Sequence, residues 1–238
     1  MVNLKVIVLL LVSEFSSLPG ITQSINTINL AEIHQKQVRK YIVSRSIDQM
    51  RDFSSIHASW KKNIDESVFN IIEKTFYLKY KLSDVWGIYR HTDPIKMWTG
   101  QSVRFGLLIS KCSNTVIYEN NSSCPGIDTG QVYFLDLRLI KGLFNIPVAF
   151  EIINIDQIKQ IVELSYIDNN KELGKQTLQF FDDGERRTRI VHRSYFKSDS
   201  PFRDEFLYPY FHNILIKDFH RNMRHLIKSS LLTNPILN

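Results

Sequence analysis

Apolar and polar positions along the chain change period twice, and each change marks a different kind of element. From Asn29 to about Arg45, NLAEIHQKQVRKYIVSR sets Leu30, Ile33, Val38, Tyr41 and Ile42 at helical spacing, which predicts a helix laid on the outside of a larger domain. SRSIDQMRDFSSIHASWKKNIDES continues in a mixed, partly helical register, without repeats, so residues 23–65 read as an N-terminal helical extension rather than a second domain. The period then drops to two. In NIIEKTFYLKYKL, Phe76, Leu78 and Tyr80 alternate with Tyr77, Lys79 and Lys81, as in a strand. SDVWGIYRHTDPIKMW returns to helical spacing, with Ser83 as the expected N-cap and Val85, Trp86 and Tyr89 as the apolar face. Asp93-Pro94 ends that helix, because the residue before proline is disfavoured in the α region. A short turn carrying Met97 and Trp98 follows.

A series of strands comes next. SVRFGLLIS alternates through Val103, Phe105, Leu107 and Ile109, and QVYFLDLRLI through Tyr133, Leu135, Leu137 and Leu139, while IPVAFEIINID is apolar almost throughout. IVELSYI, GKQTLQFF and TRIVHRSYF complete the set. Turn signals at Cys124-Pro125-Gly126, Lys141-Gly142, Asp168-Asn169-Asn170 and Asp182-Asp183-Gly184 keep the connections short, and short connections require antiparallel pairing. The last segment is helical again. Ser200-Pro201 with Asp204 and Glu205 makes a helix start, and Pro209 must kink that helix or mark its true beginning. Beyond it, Tyr210, Phe211, Ile214, Leu215, Phe219, Met223, Leu226 and Ile227 form an apolar stripe, with Lys217, Arg221, Arg224 and Lys228 mostly opposite. The expected fold is α+β: a curved antiparallel sheet of about seven strands wrapped around a long C-terminal helix, over residues 66–238.

This order resembles the START-like superfamily, also called the SRPBCC or helix-grip fold. The residues that carry the resemblance are Leu82-Ser83-Asp84-Val85-Trp86, then Asp93-Pro94 and Trp98, and the strand GERRTRIVHRSYF leading into the terminal helix. It covers about Phe69 to Leu232 and leaves the extension unexplained. It implies an elongated, largely apolar cavity between sheet and helix, used in that superfamily to carry lipids, sterols and polyketides, and in some members to cyclise or hydrate them. No universal catalytic motif comes with it, so the resemblance assigns no active-site residue.

Composition narrows the partners. A formal charge of +6 could suit nucleic acid or an anionic membrane, but the basic residues alternate with apolar ones as on wet faces of strands and helices, which excludes nucleic acid and leaves peripheral membrane contact compatible. No protein partner is indicated. The start, MVNLKVIVLLLVSEFSSLPGITQ, has the order of a secretory signal with a cut after Thr22, predicting export to a periplasm or the exterior. The alternative is a buried N-terminal strand of a cytoplasmic protein. After export, Cys112 and Cys124 can pair, a small loop contributing about 3 kcal/mol in the chain-entropy model. Asn120 and Asn121 both begin N-x-S triplets.

Candidate chemistry is sparse. Glycine-rich phosphate loops, G-x-S-x-G, H-E-x-x-H and Cys-His metal spacing are all missing from the sequence, so no cofactor and no metal is expected. On TRIVHRSYF, Thr188, Ile190, His192, Ser194 and Phe196 share the more apolar face, which should point inward, as should Tyr133, Tyr166 and Gln176 from their strands. His192 is the candidate general acid or base, against the alternative of a satisfied core histidine. Trp98, Tyr133, Tyr166, His192, Tyr210, Phe211 and Leu215 are the candidate ligand-binding residues. His212, His220 and His225 on the terminal helix do not align on one face and predict no metal site. The leading expectation is a non-enzymatic binder or carrier of an apolar, lipid-like molecule. The alternatives are a cyclase or hydratase using His192 and a tyrosine, and an interaction module whose cavity is filled by side chains.

Overall fold

The computed structural model describes residues 27–120, 126–168 and 172–233. The chain opens with a turn of tight helix at Leu30–Glu32, helix α1 at Lys36–Ser44 and further single turns at Ile47–Gln49, Phe53–Ser55 and Glu66–Val68. Strand β1 (Asn70–Leu78) leads into α2 (Leu82–His91) and α3 (Pro94–Met97). Then come β2 (Val103–Ser110), β3 (Thr115–Tyr118), β4 (Gln131–Leu139), β5 (Phe144–Asp156), β6 (Ile161–Tyr166), β7 (Glu172–Asp182) and β8 (Thr188–Ser198). The long helix α4 (Tyr208–Thr233) closes the fold. All described pairings are antiparallel, in one eight-stranded sheet of order β1-β8-β7-β6-β5-β4-β2-β3. This is the expected α+β helix grip, with one strand more than the sequence pattern suggested.

The extra strand, β3, is only four residues long and forms the edge beside β2. A second difference lies in β2. A bulge between Phe105 and Leu107 inserts Gly106 as an extra residue, so Val103, Phe105 and Leu108 face the inner core whereas Leu107 and Ile109 face outward. The regular alternation expected through Val103, Phe105, Leu107 and Ile109 is therefore broken. A third concerns α2: Lys81 occupies the cap position without a side-chain cap, and the Ser83 hydroxyl bonds the neighbouring Asp84 carboxylate. Asp93 does cap α3, accepting from Ile95 N at 2.9 Å with Pro94 at the first helical position.

Over β2, β4 and β5 both faces of the sheet are buried, while the outer face of β1 is open to solvent. The inner face packs on α2, α3 and α4 through Phe105, Tyr133, Leu135, Ile190, Phe219 and Met223. On the outer face, Leu107, Ile109, Val132, Phe134 and Ala149 are covered by Ile33, Val38, Tyr41, Ile42, Phe53 and Ile56 of the N-terminal segment. Burying each such large side chain contributes about 1.5–3 kcal/mol relative to exposure. The Lys111 ammonium fastens this layer, reaching the Ile56 carbonyl at 2.8 Å and the Glu151 carboxylate at 2.9 Å. The extension thus forms a second layer of the fold.

Helix α4 is preceded by a π-helical turn at Arg203–Leu207, immediately before Pro209, whose missing N–H could not extend a regular ladder. The buried residues of α4 include His212, Ile216, Phe219, His220, Met223 and Ile227, whereas Tyr210 is 63% exposed and Ile214 is exposed as well. The stripe drawn from apolar residues alone was rotated at its N-terminal end, because it omitted the two histidines that belong to it.

Candidate functional site

The inner faces of β4–β8 and the first half of α4 leave two adjoining spaces. An inner chamber of about 70 Å³ is lined by Trp98, Leu135, Phe150, Gln176, His192 and Phe219, among others. An outer vestibule of about 310 Å³ is lined by Leu139, Ile146, Arg203, Leu207, Tyr208 and Phe211, among others. Both share Leu137, Val148, Tyr166, His212 and Leu215, so the two lie side by side. The chamber alone holds roughly two waters' worth of space, while the vestibule reaches the lower end of small-molecule pockets, about 300–1,000 Å³.

Trp98 is held from three sides. Asn222 of α4 donates to the Lys96 and Met97 carbonyls at 2.8 and 2.9 Å, and buried Asp218 accepts from Ser102 N at 2.6 Å. The indole ring stacks on Phe219, centroids 4.5 Å apart, and meets Phe150 edge-on at 4.9 Å. Its Nε1–H is buried and has no acceptor among the described residues.

Three histidines line the seam between β8 and α4. His192 Nδ1 lies 3.0 Å from His220 Nε2, and His192 Nε2 lies 2.9 Å from Gln176 Oε1. His220 Nδ1 continues to the Tyr89 hydroxyl at 2.9 Å, and its ring stacks on Phe76 at 3.9 Å. His212 Nε2 meets the Ser194 hydroxyl at 2.7 Å. Burial disfavours the imidazolium in each, which holds His192 well below the usual range, helped by its two histidine neighbours. The same cause lowers His212 to about 4, and His220, with Arg224 nearby, to about 3. These imidazoles are neutral at neutral pH.

Of the residues singled out in the sequence, Trp98 and His192 line the chamber, Phe211 the vestibule, and Tyr166 and Leu215 both. Tyr166 also bonds Tyr208, hydroxyl to hydroxyl, at 2.8 Å. Tyr133 does not reach either space: it is fully buried and its hydroxyl bonds the Gln131 side chain. Tyr210 points to solvent and lines neither space. Sequence reasoning missed Tyr89 and His220 as partners of His192 in one hydrogen-bonded run, and His212 as the buried partner of Ser194 beside it. The available signal was that His212 and His220 interrupt the apolar stripe of an amphipathic helix, where a polar residue needs a partner. Trp86 is core, with its indole N–H on Gln157 at 3.0 Å.

Cys112 is an exposed free thiol whose sulfur lies 3.7 Å from the Thr129 carbonyl. Its expected partner Cys124, the glycosylation triplet at Asn121 and the leader at residues 1–22 lie outside the described residues. Among the described residues, no group of three or more His, Cys, Asp or Glu is arranged to hold a metal, and no helix is long and apolar enough to cross a membrane.

No family model and no curated protein matches the chain. Solved structures do. A norcoclaurine synthase point mutant from Thalictrum flavum, in complex with a transition-state analogue, superposes with a TM-score of 0.51 at 13% identity, covering 68% of this chain and 96% of that one. A protein from Thermus thermophilus gives 0.49 at 10% identity over 68% and 99%, and one from Geobacillus kaustophilus 0.46 at 13% over 68% and 97%. At such identities the likeness establishes the fold alone, an antiparallel sheet gripping a long C-terminal helix.

Proposed function

We propose that this START-like chain binds an apolar, lipid-like small molecule in the chamber and vestibule between its sheet and α4. The observation that carries this reading is a vestibule of about 310 Å³, walled largely by apolar side chains, beside an inner chamber that shares Leu137, Val148 and Leu215 with it. The fold is compatible with such a site, since a norcoclaurine synthase point mutant that superposes on this chain was solved in complex with a transition-state analogue. The cyclase or hydratase alternative is less well supported, because both ring nitrogens of His192 are engaged by His220 and Gln176, leaving no lone pair or proton for a ligand. The cavity-free interaction module is disfavoured by the vestibule volume.

The test is a mass spectrum of solvent extracts from purified protein, together with titration of a fluorescent apolar probe and its displacement by fatty acids and sterols. A co-purifying lipid or saturable displacement is the expected result. No extractable molecule and no probe binding would overturn the reading. We also propose export, with mature protein starting at Gln23. N-terminal sequencing of protein from the native host that returns Met1 would reject it.

A further inference from the structure

The polar end of the cavity has a direction. Gln176, His192, His220 and Tyr89 form one unbranched run of hydrogen bonds from the chamber wall to the buried side of α2. A neutral imidazole carries one donor nitrogen and one acceptor nitrogen, so every bond in the run must point the same way. Only two arrangements exist. In the first, Tyr89 O–H donates to His220 Nδ1, His220 Nε2–H donates to His192 Nδ1, and His192 Nε2–H donates to Gln176 Oε1. In the second all three reverse, and the Gln176 amide turns its nitrogen to His192.

Tyr89 decides between them. Its side chain is 2% exposed and, among the described residues, its hydroxyl bonds only His220. Reversal would leave the phenolic hydrogen buried without an acceptor, at a cost of about 1–3 kcal/mol, whereas the first arrangement places every hydrogen. Burial pushes the Tyr89 phenol well above its ordinary range, so that proton is retained, and the depressed imidazoles cannot break the run by taking a second proton.

With Oε1 committed to His192, the Gln176 side chain has its N–H2 left over. That nitrogen makes no hydrogen bond to any described residue and is not shut away from open space. Tyr166 and His212, also in the chamber wall, are tied to Tyr208 and Ser194. Two further lining nitrogens have no hydrogen-bond partner among the described residues: Trp98 Nε1–H, a buried donor, and His212 Nδ1, whose role is set by the direction of the bond between His212 Nε2 and Ser194. Building on the binding role proposed above, we infer that the cavity selects an apolar molecule whose buried end carries a hydrogen-bond acceptor, such as a ketone, ester or ether oxygen, and that Gln176 N–H2 receives it. Tyr89 is a positioning residue that sets the polarity of the site without touching the ligand.

The experiment compares two isosteric probes, methyl hexyl ketone and the alkene in which C=CH2 replaces C=O, by displacement of a fluorescent apolar probe. The ratio of the two affinities is read in the wild type, Gln176→Leu and Tyr89→Phe. Gln176→Leu should move that ratio about five- to tenfold against the ketone, the worth of one net hydrogen bond. Tyr89→Phe should move it the same way by a smaller factor. In the wild type, the Gln176 side-chain amide ¹⁵N–¹H signals should shift with the ketone and stay in place with the alkene. An unchanged ratio in Gln176→Leu, or amide signals indifferent to the ketone, overturns the inference while leaving the cavity reading intact. Failure of the wild type to bind either probe overturns the cavity reading and the inference with it.

Discussion

His220, on the buried side of α4, sets its Nε2 3.0 Å from Nδ1 of His192 on β8, so helix and sheet meet through a pair of neutral imidazoles as well as through apolar contact. That contact ties stability to pH. His192, His212 and His220 are all depressed below their ordinary value of 6.5, so the unfolded chain binds their protons first. Their full contribution to stability is present above about pH 6.5. It is lost as the pH falls towards the folded values, about 4 for His212 and about 3 for His220. Within that window each histidine contributes a slope of about 1.4 kcal/mol per pH unit. Urea midpoints should fall steadily from pH 7 to pH 5, and His220→Gln should flatten the slope. A wild-type midpoint constant over that interval would contradict the assignment.

Phe219 lies at the middle of the gripped helix, against Trp98, Tyr89 and His220, while Lys217 is exposed. Phe219→Ala should cost about 3–5 kcal/mol. Lys217→Ala should stay within about 0.5 kcal/mol of wild type. Chemical denaturation reads both, and equal stability of the two variants would mean that the helix does not close the core.

Two glycines should respond in opposite directions. A Cβ at Gly106 would meet Phe134 O at 2.7 Å and Val38 Cγ1 at 2.9 Å, whereas one at Gly87, inside α2, meets nothing within 4 Å. Gly106→Ala is expected to lose about 1–3 kcal/mol, because the bulge and α1 leave no room for a methyl group. Gly87→Ala should gain about 0.5–1 kcal/mol from helix propensity. Thermal melts of the pair decide it.

The N-terminal layer should be indispensable. A chain beginning at residue 66 bares Leu107, Ile109, Val132, Phe134 and Ala149 together, a patch that drives association. Size-exclusion chromatography of that truncation should show aggregates. In the full chain, Phe53→Ala should cost about 3–5 kcal/mol. A monomeric truncation with undiminished stability would show that the layer is dispensable.

Much of this architecture was legible because it is written in periodicity. The alternation of Tyr133, Leu135 and Leu137, and the inward set Ile190, His192, Ser194 and Phe196, survive unchanged in the structure. The failures occur where one residue breaks a period. Gly106 flips the second half of β2, and the π turn before Pro209 rotates the start of α4, leaving Tyr210 in solvent. The strand at Thr115–Tyr118 was too short to show a period at all. The histidine run was illegible for a different reason. Tyr89, Gln176, His192 and His220 come from four separate elements, and no local spacing encodes their meeting.

The pairing of β1 with β8, Asn70 opposite Phe196, carries a consequence for the birth of the chain. A ribosome delivers β1 long before β8 exists, and at ordinary rates of synthesis the first strand waits on the order of ten seconds for its neighbour. During that interval its backbone hydrogen bonds have only water as partner, and α4, which must fill the concave face, is still unmade. The edge that completes the sheet and the helix that completes the core therefore arrive together, at the end. Closure is a late event, and a nascent chain stalled before Thr188 would hold an open, unpaired edge for any binding factor to meet.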